Sequence, residues 1–162
     1  MAILKWCCHG VRYSPLYKTL TRPYCTNHCT KLVFVSLSND IFMNLAFEDW
    51  LYENGDFSNK SILLMWKNKP TVVIGRHQNP YLECNVWKVA SSNNVSLARR
   101  KSGGGTVYHD EGNLNCSFMK NRSLYNRYNN LDLVVKALTS RWYVDLHINT
   151  REDILLDGFY KV

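Results

Sequence analysis

The sequence predicts an α+β fold in which helices pack on a mixed, largely antiparallel sheet. Short apolar and β-branched runs recur along the chain, and helical periodicity is confined to a few segments between them. The order of these elements does not follow the regular strand and helix alternation of a parallel α/β protein. Because 46% of the residues are hydrophobic and 20% are charged, we expect a packed core and exclude a disordered, collagen-like or coiled-coil chain.

The first predicted elements are a strand over residues 32–37 and a helix over 41–52 whose cap is supplied by the Ser-Asn-Asp segment at residues 38–40. The buried face of this helix is indicated by apolar residues at three- and four-residue spacing: Phe42, Leu45, Ala46 and Trp50. Residues 61–66 and 71–75 are apolar runs separated by a short polar turn. The two runs therefore predict a β-hairpin.

The rest of the chain continues with short elements. In chain order they are a helix over 83–92, strands over 95–98, 106–109 and 114–119, a helix across Leu131–Leu138, and strands over 143–148 and 153–156. Asp157 and Gly158 predict a tight hairpin turn into residues 159–162. Since a four-residue strand directly after its turn does not complete a fold, we expect a domain that is truncated on its C-terminal side.

The charge of the chain is distributed unevenly. It carries 20 Lys and Arg against 13 Asp and Glu, a formal charge of +7, and its first acidic residue is Asp40. A basic, acid-free leader containing scattered Ser and Thr is typical of a mitochondrial transit peptide. We therefore expect residues 1–31 to be a disordered leader that directs the protein to the mitochondrial matrix, and residues 32–162 to fold. An undirected disordered N-terminus and a nucleic-acid-binding arm are the alternatives, and single, spread basic residues disfavour the arm.

Membrane and metal signals are weak in this sequence. No run of about 18 apolar residues occurs, so we predict no membrane-spanning helix. Cys25, His28 and Cys29 are close enough to suggest a metal, but they do not form a paired CxxC and no second ligand pair follows. We expect Cys84 and Cys116 to be packed thiols and predict no structural metal.

The segment RRKSGGG at residues 99–105 is the most unusual in the chain. Three consecutive glycines let the backbone approach a ligand closely and turn its N–H groups toward an anion, while the basic side chains add positive charge. Such a loop suits a phosphate or an adenylate. It is neither a P-loop nor a Rossmann motif, because its glycines do not fall at the required offsets. A flexible turn beside a solvated basic patch is the alternative.

Two polar turns accompany this loop. The sequence GRHQN at residues 75–79 follows one predicted strand, and YHDEGN at 108–113 completes the strand after the glycines and forms its turn. Loops at strand ends of one sheet can converge on a single pocket. His77 and His109 could act as general bases, but we favour structural hydrogen-bonding roles for both. No residue pattern predicts a catalytic metal or a covalent nucleophile.

Taken in order, these motifs resemble those of the lipoate-protein ligases and lipoyltransferases. Residues 97–115 are similar to the family signature RRxSGGGxVxHDxGNxN. Residues 70–80 resemble its PxVVIGRxQNP strand and turn, 83–85 its ECN, and 153–161 its DLLxDGxKxSG segment. The resemblance extends over about residues 33–162 and is strongest to the animal mitochondrial lipoyltransferases.

This resemblance implies the catalytic fold shared by class II synthetases and biotin and lipoate ligases, and an acyl-transfer activity. The family binds lipoyl- or octanoyl-adenylate and passes the acyl group to a lysine ε-amine. Lys161 matches the family lysine at the acyl-phosphate junction, where a cation stabilises developing charge. The residues implied in adenylate and acyl binding, or in supporting that site, are Arg76, Asn79, Arg100, Ser102, Gly103, Gly104, Gly105, His109, Asn113 and Asp153.

The resemblance leaves the donor open. A transferase would use lipoyl-AMP or a lipoylated donor protein, whereas a ligase would first make lipoyl-AMP from lipoate and ATP with magnesium. The implied partners are lipoyl domains of 2-oxo acid dehydrogenase complexes and the glycine-cleavage H protein, with the chain itself a monomer that binds no nucleic acid. Glu152 stands where the ligases often have Asn, and the family's sequence continues beyond Val162. We therefore expect little or no turnover from this chain alone, and an inactive binding fragment is the alternative function.

Overall fold

The computed structural model describes residues 12–13, 17–20 and 30–162. They belong to two compact units, the first ending at Asn121 and the second running from Arg122 to Val162. Six of the eight strand pairings among these residues are antiparallel and two are parallel. The predicted α+β class with a mixed, largely antiparallel arrangement is confirmed. None of the described helices is long and apolar enough to cross a membrane.

The first unit contains two sheets. Its elements in chain order are β1 (Arg12–Tyr13), β2 (Tyr17–Leu20), β3 (Thr30–Ser36), α1 (Ile41–Asn54), β4 (Lys60–Trp66), β5 (Thr71–Ile74), α2 (Pro80–Glu83), α3 (Val86–Ala90), β6 (Ser96–Arg99), β7 (Val107–His109) and β8 (Asn115–Met119). One sheet has the strand order β1-β2-β3-β4-β8 and the other has the order β6-β5-β7. The pairs β3 with β4 and β5 with β6 are parallel, and helices connect the strands of each pair.

The core of the first unit draws on α1 and on strands of both sheets. Its buried apolar members are Ile41, Leu45, Leu51, Ile62, Leu64, Trp66, Val73, Ala98 and Met119. Leu64 of β4 and Val73 of β5 are both 0% exposed, although they belong to different sheets. One continuous apolar cluster therefore holds the two sheets and α1 together.

The structure describes two short strands, β1 and β2, within the expected leader. β2 pairs antiparallel with β3, with Tyr17 opposite Ser36 and Leu20 opposite Val33, and β3 begins at Thr30 rather than at residue 32. The Tyr and Thr residues of this segment favour strands, and without β2 the β3 edge would be unpaired. Cleavage of a transit peptide stays a prediction. The candidate metal ligands Cys25, His28 and Cys29 lie outside the described residues.

Helix α1 begins at Ile41, as predicted, and ends two residues later than predicted; within the predicted cap segment 38–40, Asp40 is the cap residue. The Asp40 Oδ1 atom accepts hydrogen bonds from Phe42 N at 2.8 Å and Met43 N at 3.2 Å. These two bonds satisfy N–H groups that have no partner within the helix.

Replacing Asp40 with alanine is expected to lower the free energy of unfolding by about 1 kcal/mol, because both capping bonds are lost. Asp40→Asn is the matched control, since its side-chain oxygen still accepts both bonds, and it should stay close to the wild type. Urea unfolding followed by circular dichroism measures the difference. Equal destabilisation by alanine and asparagine would show that the cap contributes through charge alone.

The predicted hairpin of residues 61–66 and 71–75 is wrong. β4 pairs with β3 and β8, whereas β5 pairs with β6 and β7 in the second sheet. The linker between β4 and β5 contains Asn68, which is 0% exposed and hydrogen-bonded through its side chain to Asn44 and His109. Since Asn68 is anchored in the interior, the linker passes from one sheet to the other instead of turning back.

In place of the single helix predicted over residues 83–92, the structure has two short helices: α2 ends at Glu83, where the predicted helix begins, and α3 lies within the predicted range. Asn79 caps the first, accepting from Tyr81 N at 3.1 Å, and Asn85 caps the second, accepting from Lys88 N at 3.0 Å. Cys84 between them has an extended backbone. Two caps in close succession along the chain are the local reason for two short helices.

The second unit consists of a 3₁₀ turn at Arg122–Leu124, a helix and a three-stranded antiparallel sheet. Its remaining elements are α4 (Arg127–Thr139), β9 (Leu146–Ile148), β10 (Ile154–Leu156) and β11 (Tyr160–Lys161). The predicted turn into the last strand is confirmed: Asp157 has φ 50° and Gly158 has φ 78°, and β10 pairs antiparallel with β11. Phe159 N donates to Leu156 O at 3.1 Å and closes the turn, and positive φ at both of its central residues is the conformation of a type I′ turn.

Candidate functional site

Two of the three loops singled out in the sequence converge. The glycine loop, residues 99–105, connects β6 to β7, and these two strands flank β5 in one sheet. Because β5 is parallel to β6 and antiparallel to β7, the loop lies at the end of the sheet where β5 leads into the Gly75 turn, residues 75–79. Arg76 N donates to Ser102 O at 3.0 Å across this junction.

The third loop lies at the opposite end of the same sheet. β7 runs antiparallel to β5 with Thr71 opposite His109, so the residues after His109 leave near the start of β5. Asn113 closes this turn by donating from its N–H to Asp110 O at 3.1 Å, and its Nδ2 donates to Asn115 Oδ1 at 3.3 Å. The structure therefore brings His109, but not Asn113, to the cleft described below.

Arg100 organises the glycine loop. Its guanidinium donates to Val73 O at 3.2 Å, to Gly103 O at 2.8 Å and 3.2 Å, and to Gly105 O at 2.7 Å. Its own N–H donates to Ile74 O at 3.1 Å. A planar guanidinium is suited to such a fan of carbonyl acceptors. Arg100 thus ties both flanks of the glycine loop to β5 while it also lines the cleft.

The other two basic residues of the triplet are also engaged within the protein. Arg99 donates from Nη1 to the carbonyl oxygens of Gly75, Arg76 and Gln78 at 2.8–3.1 Å. The Lys101 ammonium lies 2.6 Å from Glu53 and 3.4 Å from Asp49, two carboxylates of α1 that raise its pKa. The sequence predicted these side chains as charge for an anion. In the structure they fasten the loops instead.

The glycine backbone itself is open to a ligand. Gly104 has φ 92°, a left-handed conformation that other residues rarely adopt. Apart from the residues adjacent in the chain, no side chain or backbone atom lies within 4 Å of where a Cβ would be at Gly103 or Gly105. Within residues 30–162, the N–H groups of Gly103, Gly104 and Gly105 donate no hydrogen bond. Unpaired, exposed N–H groups in a loop of this kind are suited to oxygen atoms of an anion.

A cleft of about 210 Å³ lies next to the loop. Its polar lining includes Glu48, Arg100, Ser102, His109 and Ser117, and its apolar lining includes Leu45, Trp66, Val73 and Val107. A larger groove of about 380 Å³ lies at the ends of β3 and β4 and contains none of the predicted site residues. The smaller cleft combines apolar walls with a few polar groups, as small-molecule sites do.

Glu48 is a site residue that no loop motif predicted. Ser117 Oγ donates to its carboxylate, and Trp66 Nε1 donates to Ser117 Oγ at 3.4 Å. Burial raises the pKa of Glu48, the neighbouring Asp49 charge raises it further, and the Ser117 hydrogen bond and Arg100 oppose the shift. The sequence gives one indication of this role: Glu48 comes three positions after Leu45, and this spacing places its carboxyl group on the buried side of α1.

The raised pKa of Glu48 makes stability depend on pH. Ionising this side chain costs the folded chain more than the unfolded one, so its contribution is most favourable below the ordinary glutamate pKa of about 4.3 and is lost as pH rises through the folded value. Glu48→Gln is therefore expected to be more stable than the wild type at pH 7, with a difference that decreases as pH falls toward 4. Urea unfolding across this range measures it. Glu111→Gln, at an exposed glutamate, is the control, and a pH-independent difference would contradict the prediction.

His109 is half-buried and lines the cleft. Its Nδ1 is 3.3 Å from Asn68 Nδ2, and its ring meets the indole of Trp66 edge to face with centroids 6.0 Å apart. Burial lowers the pKa of His109, and the Arg100 charge lowers it further.

The remaining predicted residues have other surroundings. Arg76 and Asn79 are exposed, and the Asn79 side chain caps α2. In the second unit, Lys161 Nζ lies 3.0 Å from Asp153 Oδ2, and this contact holds the pKa of Asp153 below its ordinary value. Among the described residues, no three His, Cys, Asp or Glu side chains are grouped so as to hold a metal ion. The side chains of the described residues therefore do not by themselves fit magnesium.

Comparison with known proteins identifies the family. Residues 40–162 match the lipoyl protein ligase A/B catalytic domain. The chain belongs to this family. Human mitochondrial lipoyl amidotransferase LIPT1 is 47% identical over 132 residues, which are 81% of this chain and 35% of the human protein. The chain thus spans about a third of that relative's length.

Solved structures of the lipoate ligase family share the fold. Plasmodium falciparum LipL1 in complex with lipoate matches with a TM-score of 0.72 and 31% identity, over 81% of this chain and 41% of LipL1. The bipartite lipoate protein ligase of Thermoplasma acidophilum, studied with its E2 lipoyl domain, matches with a TM-score of 0.62 and 30% identity, over 74% of this chain and 48% of that one. The family resemblance and the fold that it implied are both confirmed.

Proposed function

We propose that the protein acts in protein lipoylation, transferring a lipoyl or octanoyl group from an acyl-adenylate to a lysine of a lipoyl domain. The observation that carries this proposal is that the open glycine backbone lies next to a partly apolar cleft. Arg100 and Ser102 belong to the glycine loop and also line the cleft. The N–H groups of Gly103–Gly105 would bind phosphate oxygens, and the cleft would take the aliphatic chain.

The transfer forms an amide and releases AMP. The acceptor amine attacks the acyl carbonyl carbon, the bond from that carbon to the phosphate oxygen breaks, and AMP leaves with the electron pair while the amine loses a proton. We propose that the Lys161 ammonium stabilises the negative charge that develops on the carbonyl and leaving oxygens, because Lys161 matches the family lysine. Asp153 would orient that ammonium through the contact at 3.0 Å. Holding the amine beside the activated carbonyl would supply much of the remaining rate.

The remaining parts of the proposal concern donor, partners and location. We propose lipoyl-AMP or a lipoylated H protein as the donor, and lipoyl domains of 2-oxo acid dehydrogenase complexes as acceptors. The Thermoplasma relative is paired with an E2 lipoyl domain, and the name of the human relative places that protein in mitochondria. We propose the mitochondrial matrix for this protein, and an ATP-dependent ligase as the second candidate activity.

A two-donor assay tests the proposal. The chain is incubated with a lipoyl domain and either lipoyl-AMP or lipoate, ATP and magnesium, and lipoylation is read by intact-mass spectrometry. A lipoyl domain with arginine in place of its acceptor lysine is the control. Transfer from lipoyl-AMP alone supports the transferase, and transfer from both mixtures supports the ligase. Tight binding of lipoyl-AMP without transfer from either mixture would favour a binding function instead.

A further inference from the structure

Two buried asparagines lie behind the cleft. Asn44 of α1 and Asn68 of the β4–β5 linker are 1% and 0% exposed, although burying an amide is costly unless its hydrogen bonds are satisfied. Neither residue lines the cleft. Both belong to one hydrogen-bonded chain that begins at Ser36 and ends at His109.

Main-chain carbonyls fix the orientation of the Asn44 amide. Its Nδ2 lies 3.1 Å from Ser38 O and 3.0 Å from Lys67 O, and because a carbonyl oxygen only accepts, the atom facing both must be the nitrogen. The Asn44 Oδ1 then accepts from Ser36 Oγ at 2.6 Å. The positions of Oδ1 and Nδ2 in Asn44 are therefore determined by the main-chain carbonyl groups around them.

The orientation of Asn68 follows from that of Asn44. Asn44 Nδ2 is also 3.0 Å from the Asn68 side chain, so its two hydrogens are shared among three acceptors. Because an amide nitrogen does not accept, the Asn68 atom facing Nδ2 is the oxygen. The Asn68 nitrogen then faces Nδ1 of His109 at 3.3 Å. An amide nitrogen only donates, so Nδ1 of His109 must accept and cannot carry a proton.

We propose that Asn44 and Asn68 are positioning residues that hold His109 as its neutral Nε2–H tautomer, and that this Nε2–H donates a hydrogen bond to an oxygen of the acyl-adenylate in the cleft. The ligand in this proposal rests on the proposed function, whereas the tautomer does not. Within residues 30–162, Nε2 of His109 has no hydrogen-bond partner, and the ring lines the cleft. The lowered pKa of His109 agrees with a neutral ring.

This assignment removes His109 as the general base. The lone pair of Nδ1 is occupied by Asn68, and Nε2 already carries its proton, so the neutral ring has no basic nitrogen facing the cleft. The charged side chains that line the cleft with it are Arg100 and Glu48. Arg100 opposes a second proton on the ring. The attacking amine must therefore lose its proton to another group or to solvent.

Nitrogen-15 NMR of the histidine rings in the full chain tests the tautomer without any substrate. We expect Nδ1 of His109 to be unprotonated and Nε2 to be protonated at neutral pH. Asn68→Asp keeps the size of the side chain but presents only acceptors to Nδ1, so in that variant Nδ1 should gain a proton. A wild-type His109 with a protonated Nδ1 would overturn the proposal, whatever the activity.

Two substitutions of His109 test the donor role and do not depend on whether the Asn68→Asp variant folds. In His109→Gln the amide nitrogen takes the place of Nε2, and in His109→Asn it takes the place of Nδ1. We expect the asparagine variant to bind lipoyl-AMP at least about tenfold more weakly than the glutamine variant, since one hydrogen bond to the ligand is lost. His147→Asn, at an exposed histidine of β9, is the control. Equal affinities of the two His109 variants would overturn the donor role.

The proposed function and this inference can fail separately. If the wild-type chain binds lipoyl-AMP but transfers nothing, transfer by this chain is excluded and a binding function is favoured, while the NMR and binding results still decide the tautomer and the donor role. If transfer proceeds but Nδ1 of His109 is protonated, the transferase stands and the positioning role of Asn44 and Asn68 is wrong.

Discussion

Replacing Lys161 with methionine is expected to slow acyl transfer from lipoyl-AMP to a lipoyl domain by about 100- to 1000-fold, the effect of removing one charged or hydrogen-bonding group from a developing oxyanion. Methionine keeps the unbranched stem of lysine and removes only the ammonium group. The ammonium is proposed to stabilise charge that develops only as the amine attacks. Its removal should therefore lower kcat more than it lowers the affinity for lipoyl-AMP.

Lys136 provides a matched control for this experiment. It is an exposed lysine of the same unit and is also paired with a carboxylate, with its Nζ 2.6 Å from Asp132. Lys136→Met therefore removes an ion pair of the same kind outside the proposed chemistry and should leave transfer unchanged. Similar losses in both variants would mean that Lys161 acts through general charge or stability, and unchanged transfer in Lys161→Met would remove it from the mechanism.

The same substitution has a second readout at Asp153. The Lys161 contact is the largest cause that holds the pKa of Asp153 below its ordinary value. In Lys161→Met this pKa should rise toward that of an isolated aspartate, which NMR titration of the carboxyl group can follow. An unchanged pKa would show that Asn149, which also lowers the pKa of Asp153 through a hydrogen bond, dominates instead.

Local features of the fold were readable from the sequence. The start of α1 at Asp40 and the hairpin turn at Asp157 and Gly158 each depend on a few adjacent residues with strong conformational preferences. Strand partners were not readable in the same way. After β4 the chain could form a hairpin or pass to the other sheet. Which of these occurs depends on the hydrogen bonds of Asn68 to Asn44 and His109, which are 24 and 41 residues away in the sequence.

The candidate site was predictable in its backbone and less so in its side chains. The convergence of residues 75–79 with the glycine loop follows from the order of the strands. The glycine loop itself could be recognised from its three consecutive glycines and the basic residues before them. The roles of Arg99 and Lys101 could not be inferred, because a basic side chain in a sequence does not indicate whether it faces a ligand, a carbonyl or a carboxylate of α1. Glu48 was missed as a site residue for a related reason, since its environment is created by Ser117 of a distant strand.

Glu152 illustrates how a departure from the family can be explained by the backbone. It has φ 59°, in the left-handed region, where Asn is tolerated much better than Glu. The Asn that the ligases often have at this point is therefore favoured by the backbone conformation of the turn, in addition to any contact that it makes with a ligand. Here the side chain is held by Arg127, whose Nε lies 3.3 Å from Glu152 Oε2.

Replacing Gly75 with alanine is expected to lower the free energy of unfolding by about 3 kcal/mol, at the upper end of what overpacking costs. A Cβ on Gly75 would lie 2.1 Å from Gly104 O and 3.1 Å from Gly104 C, both backbone atoms that cannot rotate away. The glycine loop would have to move. That movement would strain the Arg76 N to Ser102 O bond and the contacts of Arg100 with Gly103 and Gly105.

Gly103→Ala is the matched control, because the same methyl group there has no neighbour within 4 Å and Gly103 has no positive φ. We expect its unfolding free energy to stay within about 0.5 kcal/mol of the wild type, as for most surface substitutions. Urea unfolding compares the two variants, and lipoyl-AMP binding then tests whether the shifted loop still accepts a ligand. If Gly75→Ala were as stable as Gly103→Ala, the two loops would separate at no cost. The open N–H groups of the glycine loop would then be arranged by the ligand rather than by the close approach of Gly75 and Gly104.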